Sequence, residues 1–294
     1  MQFRFFFVFF ANNFLNTFDY MELQEVQRLE SKAKEIRKMT VDMIGYLGVG
    51  HIGGALSIVE ILTLLYYRQM DVSPAEPKKK VRDKLVLSKG HAGPALYSVL
   101  ADKGFFPAEW LHSLNRGGTN LPSHCDMNRT PGIDMTTGSL GQGISAAIGI
   151  ALANRLDGID KKVYLIIGDG ESNEGQIWEG AMAAYHYRLN NLIAFTDHNK
   201  MQIDGYVHET MNVEDLNAKW SAFGWFVQRV NGHDFIDMDM AIERAKKETC
   251  RPSMIILDTI KGKGAFFAER RLDNHNMNVT YETAKEACRL IDSM

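Results

Sequence analysis

Residues 163–175 read VYLIIGDGESNEG, an apolar run that ends in a Gly-Asp-Gly turn, and a helical pattern follows from about Gln176. A short apolar run bounded by turn residues is typical of a buried parallel strand. In sheets of parallel strands, ligands lie beyond the carboxyl ends of the strands. The pattern therefore predicts Asp169 at a strand end, between glycines that let the backbone approach a ligand closely and before a helix N-terminus that can accept an anion.

The next apolar run, Leu192 to Phe195, leads into a polar segment that contains Asn199 and Met201. Because neighbouring parallel strands end at the same sheet edge, we expect Asn199 to lie close to Asp169. A carboxylate, an amide oxygen, a backbone carbonyl and phosphate oxygens together suit Mg²⁺, which prefers octahedral oxygen coordination. The sequence thus predicts a magnesium and diphosphate site, although it contains no G-x-x-x-x-G-K-[ST] loop.

Two other motifs in the sequence are weaker. Asp169, Glu171 and Asn173 alternate as in a calcium loop, but Glu174 stands where that loop requires glycine. A G-x-G-x-x-G match occurs at residues 48–53, yet it follows a helical pattern rather than a strand. We therefore expect neither a calcium loop nor a dinucleotide fingerprint.

The rest of the chain alternates between short apolar runs and helical patterns, which predicts an α/β fold with an open, mostly parallel sheet and helices on both faces. The predicted strands are 85–87, 163–167, 192–195, 226–230 and 254–257, and the crossover helices are 144–155, 177–189 and 238–247. An amphipathic helix is predicted from Leu23 toward Gly45, followed by a buried helix over Leu56 to Tyr67.

Composition narrows the class of protein. With 294 residues, 45% hydrophobic residues and a formal net charge of -3, the chain is typical of a globular protein and has no basic footprint for nucleic acid or an anionic membrane. Three isolated cysteines, Cys125, Cys250 and Cys288, indicate neither a disulfide framework nor a zinc site and favour the cytoplasm. We expect residues 1–20 to be a non-structural extension and 21–294 to form one diphosphate-binding domain.

A Gly-Asp-Gly turn with an asparagine about 30 residues later resembles the thiamine diphosphate motif, and residues 22–280 resemble the N-terminal half of transketolases. The resemblance is closest to split transketolases, in which the two halves of the catalytic unit are separate chains. Four further segments carry it in the expected order: GHIGG at 50–54, LSKGHA at 87–92, TTGSLGQG at 136–143 and QIDG at 202–205.

The resemblance implies the residues of a cofactor site for thiamine diphosphate and Mg²⁺, or another divalent cation such as Ca²⁺ or Mn²⁺. It implies Asp169, Asn199 and the main-chain carbonyl of Met201 as metal ligands. Further implied cofactor contacts are His91 and Gly170 at the diphosphate, Gly138, Ser139 and Leu140 at the aminopyrimidine side, and His275. Glu174 resembles a carboxylate that faces the partner chain.

The resemblance also implies histidines that bind sugar hydroxyls: His51, His91, His124 and His275. Imidazole suits hydrogen bonding and proton transfer near neutral pH, and His51 and His275 are the expected catalytic pair. His275 lies in Asn-His-Asn where related chains usually have Trp-His-Gly. The alternative for it is a surface histidine in a polar tail.

The segment from Lys261 to Gly264 has two interpretations: an approach to the diphosphate or a mobile basic loop. The pyrimidine-binding half of a transketolase is missing from the sequence, which implies a second chain that carries it, in an A2B2 assembly. The expected activity is transfer of a two-carbon ketol unit from a ketose phosphate to an aldose phosphate, with no nucleic acid or membrane partner. The alternatives are the alpha chain of a 2-oxoacid dehydrogenase and a non-catalytic cofactor-binding subunit.

Overall fold

The computed structural model describes residues 21–203 and 205–293. The N-terminal extension predicted for residues 1–20 lies outside the described residues, as do Asp204 of the QIDG segment and Met294 at the end of the predicted domain.

A five-stranded parallel sheet forms the centre of the chain, with strand order β1-β2-β3-β5-β4. The strands are β1 (Lys84–Leu87), β2 (Val163–Gly168), β3 (Leu192–His198), β4 (Phe226–Asn231) and β5 (Ser253–Asp258). Each of the five predicted apolar runs is one of these strands, and the α/β prediction with a parallel sheet is confirmed.

Helices cover both faces of the sheet. They are α1 (Leu23–Leu47), α2 (Ile52–Leu56), α3 (Val59–Leu64), α4 (Gly93–Asp102), α5 (Gln142–Leu156), α6 (Gly175–His186), α7 (Val207–Thr210), α8 (Leu216–Ala222), α9 (Phe235–Lys247) and α10 (Tyr281–Asp292). Shorter elements are a π-helical turn at Leu65–Gln69 and 3₁₀ turns at Gly90–Ala92, Ala108–Ser113, Gly170–Asn173 and Leu272–Asn274. None of the helices in the described part of the chain is long and apolar enough to cross a membrane.

Successive side chains of each strand enter two separate cores. In β2, Tyr164 and Ile166 pack with α1 to α4, α9 and α10, whereas Leu165 and Ile167 pack with α5, α6 and α8. This follows from the two-residue period of a strand. A continuous apolar run rather than an alternating one is therefore what a strand buried on both faces requires.

The predicted helix over Leu56 to Tyr67 is wrong in its extent. The segment forms α2, breaks at Ser57 and Ile58, and continues as α3 and the π-helical turn. The Ser57 hydroxyl donates a hydrogen bond to Asp197, 2.6 Å away, at the end of β3. The break thus coincides with a contact to a residue 140 positions away, which the local sequence pattern does not reveal.

A short antiparallel pairing brings the C-terminal segment close to the carboxyl ends of the central strands. Residues Val49–Gly50 pair antiparallel with Met277–Asn278. This pairing holds the residues before Met277 against the start of α2, beside the carboxyl ends of the central strands.

Candidate cofactor and active site

Asp169 and Asn199 lie at the ends of the neighbouring strands β2 and β3. Gly168 is in register with Asp197, and the N–H of Asp169 donates to the Asp197 carbonyl at 3.2 Å. The predicted ligands Asp169, Asn199 and Met201 line one cavity of about 210 Å³. The structure therefore brings together the carboxylate, amide and backbone groups that were predicted at one sheet edge.

Asp169 is a buried carboxylate whose hydrogen bonds come from backbone N–H groups. Oδ1 accepts from Gly170 N at 2.8 Å, and Oδ2 accepts from Lys200 N. Burial, followed by the nearby Asp197, raises the pKa of Asp169 to about 7. A divalent cation at the carboxylate would relieve this cost, because an opposite charge favours the ionised form.

Lys261 is a buried cation that lines the same cavity and is 3% exposed. Within the described residues its Nζ has no hydrogen-bond partner. Burial, followed by the charge of Lys89, lowers the pKa of Lys261 to about 8. A buried ammonium without a partner is costly, and an anion in the cavity would satisfy it. Lys261 therefore belongs to the cavity wall rather than to a mobile basic loop.

The donor set fits a metal held jointly by protein and ligand. Residues 21–203 and 205–293 contain no group of three or more histidine, cysteine, aspartate or glutamate side chains that could hold a metal ion. A single carboxylate with an amide oxygen and a carbonyl leaves several positions for phosphate oxygens and water, which is typical of Mg²⁺ bound with a phosphate ligand.

Four histidine rings meet beside the predicted metal ligands. The centroid of the His51 ring lies 5.5 Å from that of His91, 5.4 Å from that of His124 and 5.3 Å from that of His275. The centroids of His91 and His275 are 4.8 Å apart, and both side chains line the cavity. His275 therefore lies in the histidine cluster and not in a surface tail.

Burial disfavours the charged form of the histidines in this cluster. Burial lowers the pKa of all four, most strongly for His91, where Lys89 contributes, and for His275, where Lys261 helps to lower it to about 3. A neutral imidazole has one N–H donor and one acceptor nitrogen. The cluster can therefore donate hydrogen bonds to, and accept them from, the hydroxyl groups of a sugar.

A close contact with Gly53 explains how the unusual Asn-His-Asn segment places His275. Asn274 is fully buried and donates a hydrogen bond to the Ala268 carbonyl at 2.7 Å. A Cβ atom at Gly53 would lie 2.3 Å from Asn274 Oδ1, so only glycine permits this approach. Asn274 thus anchors the loop that carries His275.

The remaining predicted residues surround the cavity. Leu140, Gly170 and Glu174 line it, and Glu174 is exposed at the start of α6. Gly138 and Ser139 lie in an adjoining open depression together with Gln142, and a Cβ at Gly138 would be 3.1 Å from His124.

Several structurally important residues were not predicted from the sequence, although each lies inside or next to a quoted motif. Glu171 accepts hydrogen bonds from Ser88, from Gly141 N at 2.8 Å and from Gly168 N at 2.9 Å. It therefore joins three motif segments at one carboxylate. Lys89 and Asp197 form a buried ion pair next to the predicted metal ligand Asn199. Lys89 lies in the LSKGHA segment and Asp197 lies two residues before Asn199, and these positions were the only signal in the sequence.

A second buried network supports the loop that carries Lys261. Arg37 pairs with Glu60 and donates to the Lys263 carbonyl at 2.6 Å. His233 contacts Glu60 Oε2 at 3.1 Å and accepts a hydrogen bond from Ile260 N at 2.9 Å. Asp234, in the same Gly-His-Asp turn, caps α9. The turn therefore both starts a helix and holds the loop after β5.

Comparison with known proteins identifies the family. The model of the family described as "Transketolase, thiamine diphosphate binding domain" matches residues 29–289. The 6-deoxy-6-sulfo-D-fructose transketolase subunit SqwG of Clostridium sp. (strain MSTE9) is 60% identical over 259 residues, 88% of this chain and 94% of the relative. One of the subunits of the apulose-4-phosphate transketolase of Phocaeicola vulgatus is 39% identical, over 90% of this chain and 94% of the relative.

Solved structures agree with this assignment. The transketolase from Campylobacter jejuni superposes with a TM-score of 0.85 and 33% identity, over 91% of this chain and 43% of the transketolase. The chain thus spans less than half of that solved enzyme. The chain described here belongs to the transketolase family of ketol-transferring enzymes. It corresponds to the N-terminal, thiamine diphosphate-binding section of these proteins, in the form of a split-transketolase subunit.

Proposed function

We propose that this chain is the N-terminal subunit of a two-chain transketolase, which transfers a two-carbon ketol unit from a ketose phosphate to an aldose phosphate in the cytoplasm. The observation that carries the proposal is one cavity that offers oxygen ligands to a cation through Asp169 and Asn199 and an unpartnered ammonium to an anion through Lys261. A metal diphosphate is the ligand that satisfies both.

In this proposal Asp169, Asn199 and the Met201 carbonyl hold Mg²⁺, or Ca²⁺ or Mn²⁺ in its place. Gly170, His91 and Lys261 receive the diphosphate, and Gly138, Ser139 and Leu140 approach the aminopyrimidine side. Thiamine diphosphate would supply an electron sink for cleavage of the bond next to a carbonyl.

The histidine cluster would act on the sugar. His51, His91, His124 and His275 bind its hydroxyl groups, and His51 and His275 exchange protons with them. Support comes from their lowered pKa values and their mutual ring distances of 4.8 to 6.5 Å. General acid–base groups of this kind contribute roughly 10²- to 10⁴-fold to a rate.

The partner is a C-terminal transketolase subunit that carries the pyrimidine-binding domain, in an A2B2 assembly. The names of the related subunits and the 43% coverage of a full-length transketolase support this. The family match favours this function over the alpha chain of a 2-oxoacid dehydrogenase.

The test is reconstitution from purified chains. This chain, its partner, Mg²⁺ and thiamine diphosphate should together give ketol transfer, and Asp169→Ala should abolish Mg²⁺-dependent cofactor binding in a calorimetric titration. Cofactor binding without ketol transfer under saturating conditions would instead indicate a non-catalytic binding subunit. If the assembled pair shows no Mg²⁺-dependent binding, the cofactor site itself is contradicted.

A second candidate concerns the donor sugar. The 60% identical relative is named for 6-deoxy-6-sulfo-D-fructose, whose sulfonate is an anion at the far end of a ketose. We propose this sulfo-ketose as the alternative donor. A competition assay with fructose 6-phosphate and 6-deoxy-6-sulfo-D-fructose at equal concentration would distinguish the two by the ratio of their kcat/KM values.

A further inference from the structure

Asp197 is a fully buried aspartate at the end of β3, two residues before Asn199. Its carboxylate is surrounded by donors from four parts of the chain. They are Lys89 Nζ, Ser57 Oγ at 2.6 Å and Asn199 Nδ2 at 2.9 Å on Oδ2, and Thr259 Oγ1 on Oδ1. These contacts hold the carboxylate within the protein, and Asp197 does not line the cavity that Asp169 and Asn199 line.

Lys89 provides the buried Asp197 carboxylate with an ion-pair partner. The Lys89 side chain is 2% exposed and the Asp197 side chain is 0% exposed, so the pair lies inside the protein. Asp169 differs, since its oxygens accept only from backbone N–H groups among the described residues. The two buried aspartates at the ends of β2 and β3 therefore differ. Asp197 is paired with a lysine, whereas within the part of the chain that the structure describes the Asp169 carboxylate has no cationic partner of this kind and is left for a cation.

The hydrogen bond to Asp197 orients the Asn199 amide. Asn199 Nδ2 donates to Asp197 Oδ2 at 2.9 Å, and a carboxylate that is paired with a lysine accepts hydrogen bonds and does not donate them, so the NH₂ group faces it. The amide oxygen then points away, accepts from Met201 N at 3.0 Å and retains a second lone pair beside the cavity. In the flipped amide the NH₂ group would face the cation instead, and no ligand oxygen would be present.

We infer that Asp197, held by Lys89, is a positioning residue that orients the Asn199 amide with its oxygen toward the cation. This inference rests on the proposed function, because it assigns Asn199 as a cation ligand. Groups that orient a metal ligand are expected to change metal affinity without touching the metal.

Two double variants of the assembled two-chain enzyme test this role. In both, Lys89→Met removes the ammonium, so that no buried charge is left unpaired. Asp197→Asn keeps an oxygen that can accept from the Asn199 NH₂ group, whereas Asp197→Leu has a similar volume and cannot accept. Mn²⁺ binding is measured by electron paramagnetic resonance at saturating thiamine diphosphate, and folding is checked by circular dichroism.

We expect Lys89→Met/Asp197→Asn to bind Mn²⁺ within about threefold of the unmodified enzyme and Lys89→Met/Asp197→Leu to bind it about 10- to 100-fold more weakly. Equal affinities in the two variants, whether high or low, would overturn the inference. If the unmodified enzyme itself binds no Mn²⁺, the proposed function fails instead.

A milder variant covers the case in which the double variants do not fold. Thr259→Val is isosteric and leaves the Lys89–Asp197 pair intact, but removes the hydroxyl that anchors the other carboxylate oxygen. We expect a folded enzyme with about two- to fivefold weaker Mn²⁺ binding, since the effect of a supporting contact is smaller than that of the acceptor itself. Unchanged affinity in this variant would contradict the inference.

Discussion

Among single residues, Lys261 shows a direct conflict between stability and binding. The same buried ammonium that destabilises the cofactor-free protein is the group that we expect to bind the anionic cofactor. Its ammonium is buried without a partner among the described residues, and the neighbouring Lys89 adds repulsion. A charge that is costly without ligand and satisfied by an anion is the arrangement expected of a binding site. Such sites commonly lose stability in exchange for function.

The first prediction is that Lys261→Met stabilises the cofactor-free protein and weakens cofactor binding. The free energy of unfolding at pH 7 should rise by about 3 kcal/mol, the cost that corresponds to a pKa lowered from 10.5 to about 8. Affinity for thiamine diphosphate should fall at least about tenfold, since a charge-assisted contact is lost. Urea denaturation and calorimetric titration measure the two effects.

Lys263→Met in the same loop is the matched control. Lys263 lines a different pocket, beside Arg37 and His233, and the loop contact from Arg37 uses its backbone carbonyl. We expect neither stability nor cofactor affinity to change appreciably. If Lys261→Met and Lys263→Met behave alike, the assignment of Lys261 to the diphosphate is wrong.

The second prediction concerns pH. The folded, cofactor-free protein releases the Lys261 proton through about pH 8, whereas the unfolded chain keeps it until near the ordinary pKa of 10.5. The stability cost is therefore fully present below pH 8 and disappears as the pH rises toward 10.5. An anionic ligand restores the charge, so cofactor binding at pH 8.5 should take up a proton. Titrations in buffers of different ionisation enthalpy measure the uptake, which Lys261→Met should lack.

At the scale of elements, the loop after β5 is positioned by residues from α1, α3 and the turn before α9. Arg37 and Glu60 form a buried pair, and His233 links Glu60 to Ile260 N. These contacts fix the loop from two sides. Lys261 thereby faces the cavity although its own side chain has no anchoring bond within the described residues.

The third prediction is that Glu60→Gln destabilises the protein by about 3 to 5 kcal/mol at pH 7, because the buried Arg37 charge loses its partner. The pKa of Glu60 is lowered to about 2, so its contribution is present above about pH 4.5 and lost as the pH falls toward 2. The difference in free energy of unfolding between Glu60→Gln and the unmodified protein should therefore be smaller at pH 3 than at pH 7. Denaturant unfolding at both pH values measures this difference.

Glu25→Gln is the control for this prediction. Glu25 pairs with Arg28 on the exposed face of α1, and a surface pair contributes about 0 to 1 kcal/mol. If Glu60→Gln loses as little stability as Glu25→Gln, the buried network does not support the loop.

At the scale of the whole molecule, one side of the candidate site reaches the protein surface, where Glu174 is exposed. Glu174 lies exposed where the cavity meets α6, and the same helix exposes Met182 and Tyr185, with Tyr187 directly after it. Large apolar side chains grouped on a surface commonly mark a protein interface. The surface of α6 is therefore where we expect the partner chain to dock.

The fourth prediction is that Met182→Lys impairs assembly without destabilising the chain. A charge placed in an apolar interface should weaken the association of the two chains by at least about tenfold, whereas an exposed substitution changes folding stability by about 0.5 kcal/mol or less. Light scattering of the mixed chains and thermal unfolding of this chain measure the two quantities. Leu23→Lys, at an exposed leucine of α1, is the control, and equal assembly of both variants would contradict the prediction.

The strands of the sheet and the proximity of Asp169 and Asn199 could be predicted from the sequence. The strands of a buried parallel sheet are apolar on both faces, so that each is visible as a local run, and the Gly-Asp-Gly turn and Asn199 follow directly from two of them. Because parallel strands share one carboxyl edge, the proximity of Asp169 and Asn199 could be inferred without coordinates.

The tertiary structure alone decided which polar groups pair. Lys89 meets Asp197 across 108 positions and His233 meets Glu60 across 173, and no local pattern encodes such pairings. The break between α2 and α3 and the burial of Lys261 and His275 follow from the same long-range packing. Local periodicity specifies which face of an element is apolar, but the partner of a buried charge depends on which distant segments fold against it.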